Sequence, residues 1–576
     1  MSINCHSKMA VSVLVLCAAV SSLFLLIYHY VIVPAFLSPL SKIPNAHFTS
    51  SWLPTWIWWR RRIGFEVRSI YAAHQEHGPI VRLAPNELSV CSLEGLRQIY
   101  AAGFEKTPWY AEFMNFNLPN MASTLEHKPH SIQKRMVSNV YSKSFLQNSP
   151  DLQVACGVII SEKLLPVLFS IAQRDESINV LSLAQGAGMD FMSSYLFGLT
   201  NATDFIRDIP ARQKYFDTYH TKAHKLRGFQ QATVELESHC LSRCAAAEKL
   251  SQNPSDTSTT TPRTSPVVYA KMHSMLSSSK FPEMPTTPEA KRLHVASEMM
   301  DHLLAGHETS AITVTYILWE LSRRPTLQSA LRAEVLTLSP PLTFPLQQTS
   351  GEEPHTPLLP RPQDIDNLPL LNAIIYEVLR LYPAAPSHQP RVTPPGGVTI
   401  GGYTNIPGGV KVGASAYCLH RNEEAFPEAE KFKPERWMQG ENGYGGTEAM
   451  RRWFWSFGSG GRMCIGSNFA LQSRHLFSPA LKLISIFIKS RSDMLESPHI
   501  ASSCSYLNGG FVVNTADRKP ALKLITASIY ANFTTTIIDD EGIEQADSYI
   551  AGPVGGKLIL KFHEITPQVR PALKTQ

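Results

Sequence analysis

One ten-residue stretch, residues 457–466, constrains this chain more than any other part of its sequence. It reads Phe-Gly-Ser-Gly-Gly-Arg-Met-Cys-Ile-Gly and carries one cysteine, Cys464. Gly460 and Gly466 let the backbone turn and pass close to a large flat ligand, which a Cβ atom would obstruct. Because a thiolate and not a thiol binds metal, Cys464 needs a metal and nearby donors to lower its pKa. Most free cysteines are only buried, but no packing rule requires this combination, so the stretch favours a metal-ligating cysteine.

Two further positions of this stretch have a physical role. Arg462 would place a fixed cation beside an anionic group of the ligand. Gly466 would open a helix whose N-terminal dipole and free N–H groups face the sulfur. The stretch therefore predicts a ligand with both a metal and a negative charge.

A long helical pattern covers residues 289–324 and is stopped by Pro325. It has too many apolar positions for a surface helix, which predicts a helix through the core. Gly306 in its middle costs about 1 kcal/mol relative to alanine, so it needs a reason. The Thr309 hydroxyl can bond the carbonyl four residues earlier and open a groove. With Glu308 it could relay protons there, although this dipeptide alone is more typical of a helix surface.

An amphipathic helix is predicted around residues 371–378, where apolar residues recur at i, i+3, i+4 and i+7. Glu377 and Arg380 stand three residues apart on it, so they can meet on one face. A second segment with an arginine, Arg436, follows in the sequence Pro-Glu-Arg-Trp.

Taken together, these segments resemble the cytochrome P-450 superfamily. Residues 457–466 match its haem-binding loop, residues 305–310 match its oxygen-binding motif, and Glu377 with Arg380 matches its E-x-x-R motif. The similarity extends over about residues 79–562, with these three motifs and the Pro-Glu-Arg-Trp segment in the family's order.

The resemblance implies a role for each motif residue. Cys464 is the axial ligand of the haem iron, and Glu308 and Thr309 are the catalytic proton relay. Glu377, Arg380 and Arg436 form a structural triad beneath the haem loop. The resemblance assigns cofactor binding to Phe457, Gly460, Arg462, Cys464, Gly466, Arg391, and to His130 with either Lys134 or Arg135. A solvated basic helix face is the alternative for the last three.

The fold and activity that the resemblance implies follow from these roles. The fold is mainly α with a small β lobe, preceded by one transmembrane helix. The cofactor is haem b, with electrons from NADPH through cytochrome P-450 reductase, and cytochrome b5 as a further candidate partner. The reaction inserts one oxygen atom of O2 into an apolar small molecule by hydroxylation or epoxidation, in a fungal secondary-metabolite pathway. A xenobiotic or fatty-acid hydroxylase and an inactive haem-binding protein are the alternatives.

The N-terminus predicts a membrane anchor over residues 1–42. Residues 9–33 carry no formal charge and Pro34 follows. As a helix this run extends roughly 37 Å, enough to cross a hydrocarbon core of about 30 Å. A cleaved signal peptide, the alternative, usually has a shorter apolar run and a cleavage site. Arginines and tryptophans over residues 52–62 suit a single-pass protein of the endoplasmic reticulum with a cytosolic catalytic domain, residues 43–576.

Composition excludes one class of function. The net charge is +6, with 44% hydrophobic and 17% charged residues. Since no basic run has interleaved aromatic residues, we do not expect a nucleic-acid-binding protein. The nine cysteines are scattered, which fits a reducing compartment better than a disulfide scaffold.

Four other segments of the chain carry local structural signals. Residues 78–90 predict a β-hairpin. Residues 251–266 and 340–362 predict flexible loops, because they are rich in Ser, Thr and Pro. Residues 473–520 interrupt the helix that the family has after the cysteine, and joining Gln472 to Ala521 restores an amphipathic helix. We interpret this block as an insertion or a gene-model artefact, since its prolines should disrupt a helix packed on the haem.

Overall fold

The computed structural model describes residues 2–252, 264–278, 287–348, 357–438, 445–470 and 520–565. The central parts of both predicted loops lie outside the described residues. So does the predicted insertion, apart from its last residue, Pro520.

The described chain is mainly α-helical, as expected. The α-helices are α1 (Ser2–Ile27), α2 (Thr55–Arg62), α3 (Glu66–His77), α4 (Leu93–Leu96), α5 (His127–Val137), α6 (Lys143–Asn148), α7 (Pro150–Val158), α8 (Leu165–Gln173), α9 (Val180–Phe197), α10 (Ile209–Ala223), α11 (Phe229–Gln252), α12 (Val267–Ser277), α13 (Pro288–Ser322), α14 (Pro325–Val335), α15 (Pro362–Asp366), α16 (Pro369–Leu381), α17 (Ala416–Leu419), α18 (Glu448–Trp453), α19 (Ser467–Ala470) and α20 (Pro520–Asn532). Wider π-helical turns cover Tyr28–Leu37, Arg97–Ala101 and Ile159–Leu164. Short 3-10 turns cover Pro39–Lys42, Pro108–Phe113, Leu199–Asn201, Pro434–Met438 and Gly460–Arg462.

Three small sheets form the β portion. The strands are β1 (Ile80–Ala84), β2 (Glu87–Val90), β3 (Glu105–Lys106), β4 (Ser177–Asn179), β5 (Arg391–Val392), β6 (Val398–Ile400), β7 (Tyr403–Ile406), β8 (Lys411–Gly413), β9 (Phe533–Asp539) and β10 (Ile559–Glu564). The five-stranded sheet has the order β1-β2-β8-β5-β3, the second sheet has the order β4-β10-β9, and β6 pairs with β7. The predicted hairpin is confirmed, because β1 and β2 pair antiparallel with Ile80 opposite Val90.

The long helix α13 runs through the core, as its apolar pattern predicts. The Thr287 side chain caps it by accepting a hydrogen bond from the Ala290 N–H. It packs against α9, α12, α16 and α20. Gly306 lies at the crossing with α9, where an added Cβ would stand 2.6 Å from Met192 Cγ. The glycine inside the helix is therefore explained by this close approach.

The helices on either side of the undescribed block lie together. α20 confirms the predicted helix after residue 520, and it packs against α19, which follows the cysteine loop. The residues of α20 from Ala521 to Asn532 are buried. Its one lysine, Lys523, is paired inside the core with Asp366 at 2.9 Å.

The N-terminal helix differs from the prediction at its end. α1 stops at Ile27, but the chain continues as π-helical turns from Tyr28 to Leu37, with Pro34 inside them. Proline breaks an α-helix because it has no N–H and clashes with the preceding turn, and the wider π turn accommodates it. Pro34 is therefore not the end of the helix. Residues Leu14–Leu37 are long and apolar enough to cross a membrane and are not buried against the rest of the protein.

Candidate functional site

The loop that carries Cys464 is held by its own backbone. The Cys464 N–H donates to the Phe457 carbonyl at 2.9 Å, and the Ser467 N–H donates to the Cys464 carbonyl at 3.2 Å. Gly466 directly precedes α19. Cys464 itself is exposed, whereas Cys418 and Cys156 are buried. The loop thus presents one reachable cysteine at a helix start.

Gly460 has two separate reasons to be glycine. Its φ is +71°, a conformation that other residues rarely adopt. A Cβ atom there would also stand 2.1 Å from the Tyr100 carbonyl oxygen. The neighbouring Gly461 has neither restriction, since its nearest atom would be His127 Nε2 at 3.7 Å.

Arg462 points from this loop into a buried basic region. Its guanidinium donates to the carbonyls of Thr124 and Leu125, each at 2.6 Å. Its Nε is buried without a hydrogen-bond partner in the described structure. Burial, followed by the charge of the neighbouring Arg391, lowers the pKa of Arg462 to about 10.

The helix α5 sends Lys134, rather than Arg135, to the cysteine loop. Lys134 Nζ donates to the Gly461 carbonyl at 2.9 Å and to the Met463 carbonyl at 2.8 Å. Burial lowers the Lys134 pKa, while the Cys464 sulfur opposes that shift. Arg135 is exposed and donates to the Ser131 carbonyl of its own helix at 3.2 Å.

His130 and Arg391 complete the sequence-predicted part of this region. His130 is buried, and burial, followed by the charge of Arg462, lowers its pKa to about 3. Arg391 Nη1 donates to the Tyr110 hydroxyl at 3.0 Å and to the Pro390 carbonyl at 2.8 Å. The structure thus brings both residues near Arg462, from α5 and from β5.

Lys106 belongs to the same region and was missed by the sequence analysis. It lies in β3 directly opposite Arg391 in β5. Its ammonium donates to the Ala122 carbonyl. Burial, followed by the charges of Arg391 and Arg462, lowers the Lys106 pKa to about 7. A two-residue strand has no periodic signal, so only the sheet pairing reveals this neighbour.

An acidic pair on α13 holds the loop beside Lys106. Glu298 accepts a hydrogen bond from the Met121 N–H at 3.0 Å. Asp301 is bonded by the backbone of Ala122, and burial together with Glu298 raises the Asp301 pKa to about 7. The segment that supplies carbonyls to Lys106 and Arg462 is therefore fastened to α13.

Glu308 and Thr309 lie on α13 about two turns after Asp301. The Thr309 hydroxyl donates to the Ala305 carbonyl at 2.8 Å, which is the bond its spacing predicts. Ala305 is exposed although the helix around it is in the core. Glu308 accepts a hydrogen bond from the Tyr219 hydroxyl of α10. Burial raises the Glu308 pKa, and the Tyr219 hydrogen bond opposes that rise.

Glu377, Arg380 and Arg436 meet in the core. Glu377 accepts from Arg380 at 2.7 Å and from Arg436 at 3.1 Å. Trp437 Nε1 also donates to Glu377 at 2.7 Å, so the carboxylate binds three donor side chains. Glu377 and Arg380 are fully buried.

His420 links these charges to the cysteine loop and has no sequence signal. Its Nδ1 donates to the Arg380 carbonyl at 2.8 Å, and its Nε2 accepts from the Trp455 N–H at 2.7 Å. A carbonyl only accepts and an N–H only donates, so the ring is the neutral Nδ1–H tautomer. Burial lowers the His420 pKa to about 3.

Known proteins resemble this chain in sequence. The sequence model of the cytochrome P450 family matches residues 246–481. Cytochrome P450 monooxygenase avaI of Aspergillus versicolor is 26% identical over 421 residues, which covers 70% of this chain and 94% of avaI. Cytochrome P450 monooxygenase orf2 of Aspergillus niger is 26% identical over 462 residues, which covers 76% of this chain and 84% of orf2. Cytochrome P450 monooxygenase stcB of Emericella nidulans is 25% identical and covers 75% of this chain and 79% of stcB.

Residues 246–481 match the cytochrome P450 family, and the similarity to these fungal P450 monooxygenases extends over 70–76% of the chain. Its P450 fold is that of solved structures, among them the cytochrome P450DA heme domain, with a TM-score of 0.58, 15% identity and coverage of 88% of this chain and 95% of that one. A cytochrome P450 (CYP102L1) has a TM-score of 0.60, 16% identity and coverage of 87% and 94%. Like its fungal relatives, the chain is a P450 monooxygenase, with haem b as cofactor and a redox partner as electron source.

The residues present fit the P450 cofactor, which is a flat dianion with a metal. Lys106, Arg391 and Arg462 are cations of one buried region, and none of them forms an ion pair with a described carboxylate. Besides burial, the charge of Arg391 lowers the pKa of both Lys106 and Arg462. Two carboxylates placed in this region would therefore reduce the repulsion between these cations. A reachable cysteine stands beside this region. The donor set therefore suits the iron and the two propionates of haem.

Proposed function

We propose that this P450 uses Cys464 as the haem iron ligand and inserts one oxygen atom of O2 into an apolar small molecule, by hydroxylation or epoxidation. The observation that carries the proposal is the exposed Cys464 beside a buried region whose cations Lys106, Arg391 and Arg462 form no direct ion pair with a described carboxylate. Haem, when bound, supplies oxygen activation and transfer. The proposal includes a fungal secondary metabolite as the substrate, since the relatives are fungal P450 monooxygenases.

The chain's own residues have the following proposed roles. Phe457, Gly460 and Gly466 shape the loop so that the sulfur is reachable. Arg462, Arg391, Lys134, His130 and the newly found Lys106 hold the cofactor's carboxylates. Arg135 points away from this region, so Lys134 is the better candidate of the two on α5.

Glu308 and Thr309 are the proposed proton relay on α13. The Thr309 hydroxyl is held by the Ala305 carbonyl, on a part of the helix that remains exposed. The raised Glu308 pKa lets that carboxyl carry a proton nearer to neutral pH. Glu377, Arg380 and Arg436 are proposed to support the loop from below and not to take part in chemistry.

The proposed setting is the cytosolic face of the endoplasmic reticulum membrane, with the anchor in residues 1–42 and the catalytic domain in residues 43–576. NADPH–cytochrome P450 reductase is the proposed electron donor, and cytochrome b5 a second one. The apolar span Leu14–Leu37 supports membrane attachment.

The experiment that tests the ligand is the absorption spectrum of the reduced, carbon-monoxide-bound protein. We expect a long-wavelength Soret band of the thiolate type in the wild type, and its loss in Cys464→Ser. Cys91→Ser is the matched control, because Cys91 is a half-buried cysteine far from the loop in sequence, and should keep the band. A thiolate-type band in Cys464→Ser would refute the proposal.

The proposed insertion, residues 473–520, is tested with the same spectrum. The packing of α19 against α20 supports the view that these two helices are halves of one interrupted helix. The chain with residues 473–520 removed should show the thiolate-type band. If only the trimmed chain shows the thiolate-type band, the full chain with residues 473–520 does not form a working haem site. A band in the full chain alone would overturn the interpretation of the block as an insertion.

A further inference from the structure

The carboxylate of Glu308, the acid of the proposed relay, accepts a hydrogen bond from a residue of another helix. Tyr219 lies on α10, and its hydroxyl donates to Glu308 Oε2 across 89 positions of sequence. Tyr219 belongs to no motif of the sequence analysis. Among the described residues, this hydroxyl is the one side chain that hydrogen-bonds the Glu308 carboxylate.

The other titratable groups near Glu308 are histidines. Its own helix presents His307, which is fully buried and whose pKa burial lowers to about 4, so His307 is neutral. The end of α10 presents His224, which lowers the Glu308 pKa, and His220, which stacks on His224 at 5.7 Å. His220 and His224 are exposed. The Tyr219 ring packs edge-on against His307 at 5.5 Å.

This arrangement suits a hydroxyl that passes protons. A tyrosine O–H both donates and accepts, so it can give a proton to Glu308 and take another from a neighbour. Glu308 is half-buried, while His220 on α10 and His224 directly after that helix are exposed. The contact between Tyr219 and Glu308 therefore connects the acid on α13 with the exposed histidines at the end of α10.

We propose that Tyr219 is the positioning residue of Glu308, and that it links this carboxyl to the histidine-bearing end of α10, where protons enter. Oxygen insertion consumes two protons and two electrons for each O2, with one oxygen atom leaving as water. Glu308 gives up a proton and takes one from Tyr219, and Tyr219 is restored by water or by a histidine at the α10 end. The electrons come from the redox partner. The inference rests on the proposed role of Glu308.

The first test compares two identical substitutions on one helix. Tyr219→Phe removes the hydroxyl and keeps the ring that packs on His307. Tyr215→Phe is the matched control, since Tyr215 lies one turn earlier on α10 and packs against Phe205 and His239 instead. With purified reductase, NADPH and no added substrate, Tyr219→Phe should slow oxygen consumption roughly tenfold and enlarge the solvent isotope effect. Tyr215→Phe should change neither.

The second test does not depend on turnover. The hydrogen bond from Tyr219 stabilises the ionised carboxylate, so its loss should move the infrared titration of the Glu308 carboxyl to higher pH. Glu308→Gln identifies that band by removing it. In the Glu308→Gln background, Tyr219→Phe should slow oxygen consumption no further, because it acts through Glu308.

The outcomes separate the two proposals. A wild type without a thiolate-type carbon monoxide band would refute the proposed function. A wild type with that band, together with a Tyr219→Phe variant whose oxygen consumption and carboxyl titration are unchanged, would overturn the role of Tyr219 alone.

Discussion

At the scale of single residues, Gly460 and Gly461 are adjacent glycines with different requirements. Gly460 combines a φ of +71° with a carbonyl oxygen 2.1 Å from where a Cβ would be. At Gly461 the same atom would have room. The loop therefore depends on glycine at one position and tolerates a side chain at the next.

We expect Gly460→Ala to destabilise the loop and reduce haem retention. The left-handed conformation alone costs about 1–2 kcal/mol for a non-glycine residue, and the clash with Tyr100 adds to it. Gly461→Ala should retain haem and melt close to the wild type. Haem content after purification and thermal unfolding check this, and equal haem content in the two variants would contradict it.

His420 makes stability depend on pH. Its pKa is about 6.5 when unfolded and about 3 when folded. As pH falls, the unfolded chain therefore binds a proton at His420 before the folded protein does. The stabilisation that the neutral His420 ring contributes is fully present above pH 6.5 and is lost progressively toward pH 3. The loss is about 1.4 kcal/mol per pH unit for one such group.

His420→Phe should remove this pH dependence. At neutral pH it leaves the Arg380 carbonyl and the Trp455 N–H buried without a partner, at a cost of about 2–4 kcal/mol. Below pH 6.5 the difference in unfolding free energy between His420→Phe and the wild type should shrink. Urea unfolding at several pH values measures it, with His563→Phe as control, because His563 is exposed on β10. A difference that stays constant with pH would exclude the neutral tautomer.

At the scale of elements, α16 is joined to the turn Pro434–Met438 by one carboxylate. Glu377 binds Arg380 of its own helix together with Arg436 and Trp437 of the turn. Arg380 also donates to the carbonyls of His420 and Ala429. These bonds fix the segments that lead into the cysteine loop.

We expect Glu377→Ala to be strongly destabilising. It leaves two guanidinium groups in the core without a counter-ion, which typically costs about 3–5 kcal/mol. Glu428→Gln is the control, because Glu428 pairs with Lys431 and Lys433 at the surface. That change should leave the unfolding midpoint nearly unchanged. Chemical denaturation measures both, and similar midpoints would show that the buried ion pairs contribute little.

At the scale of the whole molecule, two segments are apolar and long enough to cross a membrane. Leu14–Leu37 is not buried, whereas 61% of the apolar window in Pro150–Gln173 is buried inside the protein. The second segment consists of α7, the π turn Ile159–Leu164 and α8, all in the core. Only the first is therefore a candidate span in the described chain.

Deletion of residues 2–33 should release the protein from carbonate-washed membranes to a large extent. The full chain should stay in the membrane pellet. Two exposed aromatic residues of α2, Trp58 and Trp59, would retain part of the shortened protein at the membrane surface at low salt. Fractionation after carbonate extraction measures this, and full retention of the shortened protein would contradict an anchor in Leu14–Leu37.

Much of the fold was predictable, because its signals are local. The period of apolar residues predicted α13 and α16, and a turn between two apolar runs predicted the β1–β2 hairpin. Motif spacing predicted the bonds of Thr309 and Glu377. The prediction that the N-terminal helix ends before Pro34 was wrong, since π-helical turns accommodate this proline.

The sequence by itself determined the helices, the hairpin and the loop that presents Cys464, because their causes lie within a few residues of one another. Only the tertiary structure decided which charges meet. It brought Lys106 opposite Arg391 through strand pairing, and turned Lys134 toward the loop while its neighbour Arg135 faces solvent. It also placed Tyr219 on Glu308. Such contacts depend on helix rotation and on pairing between distant segments, which no local pattern encodes.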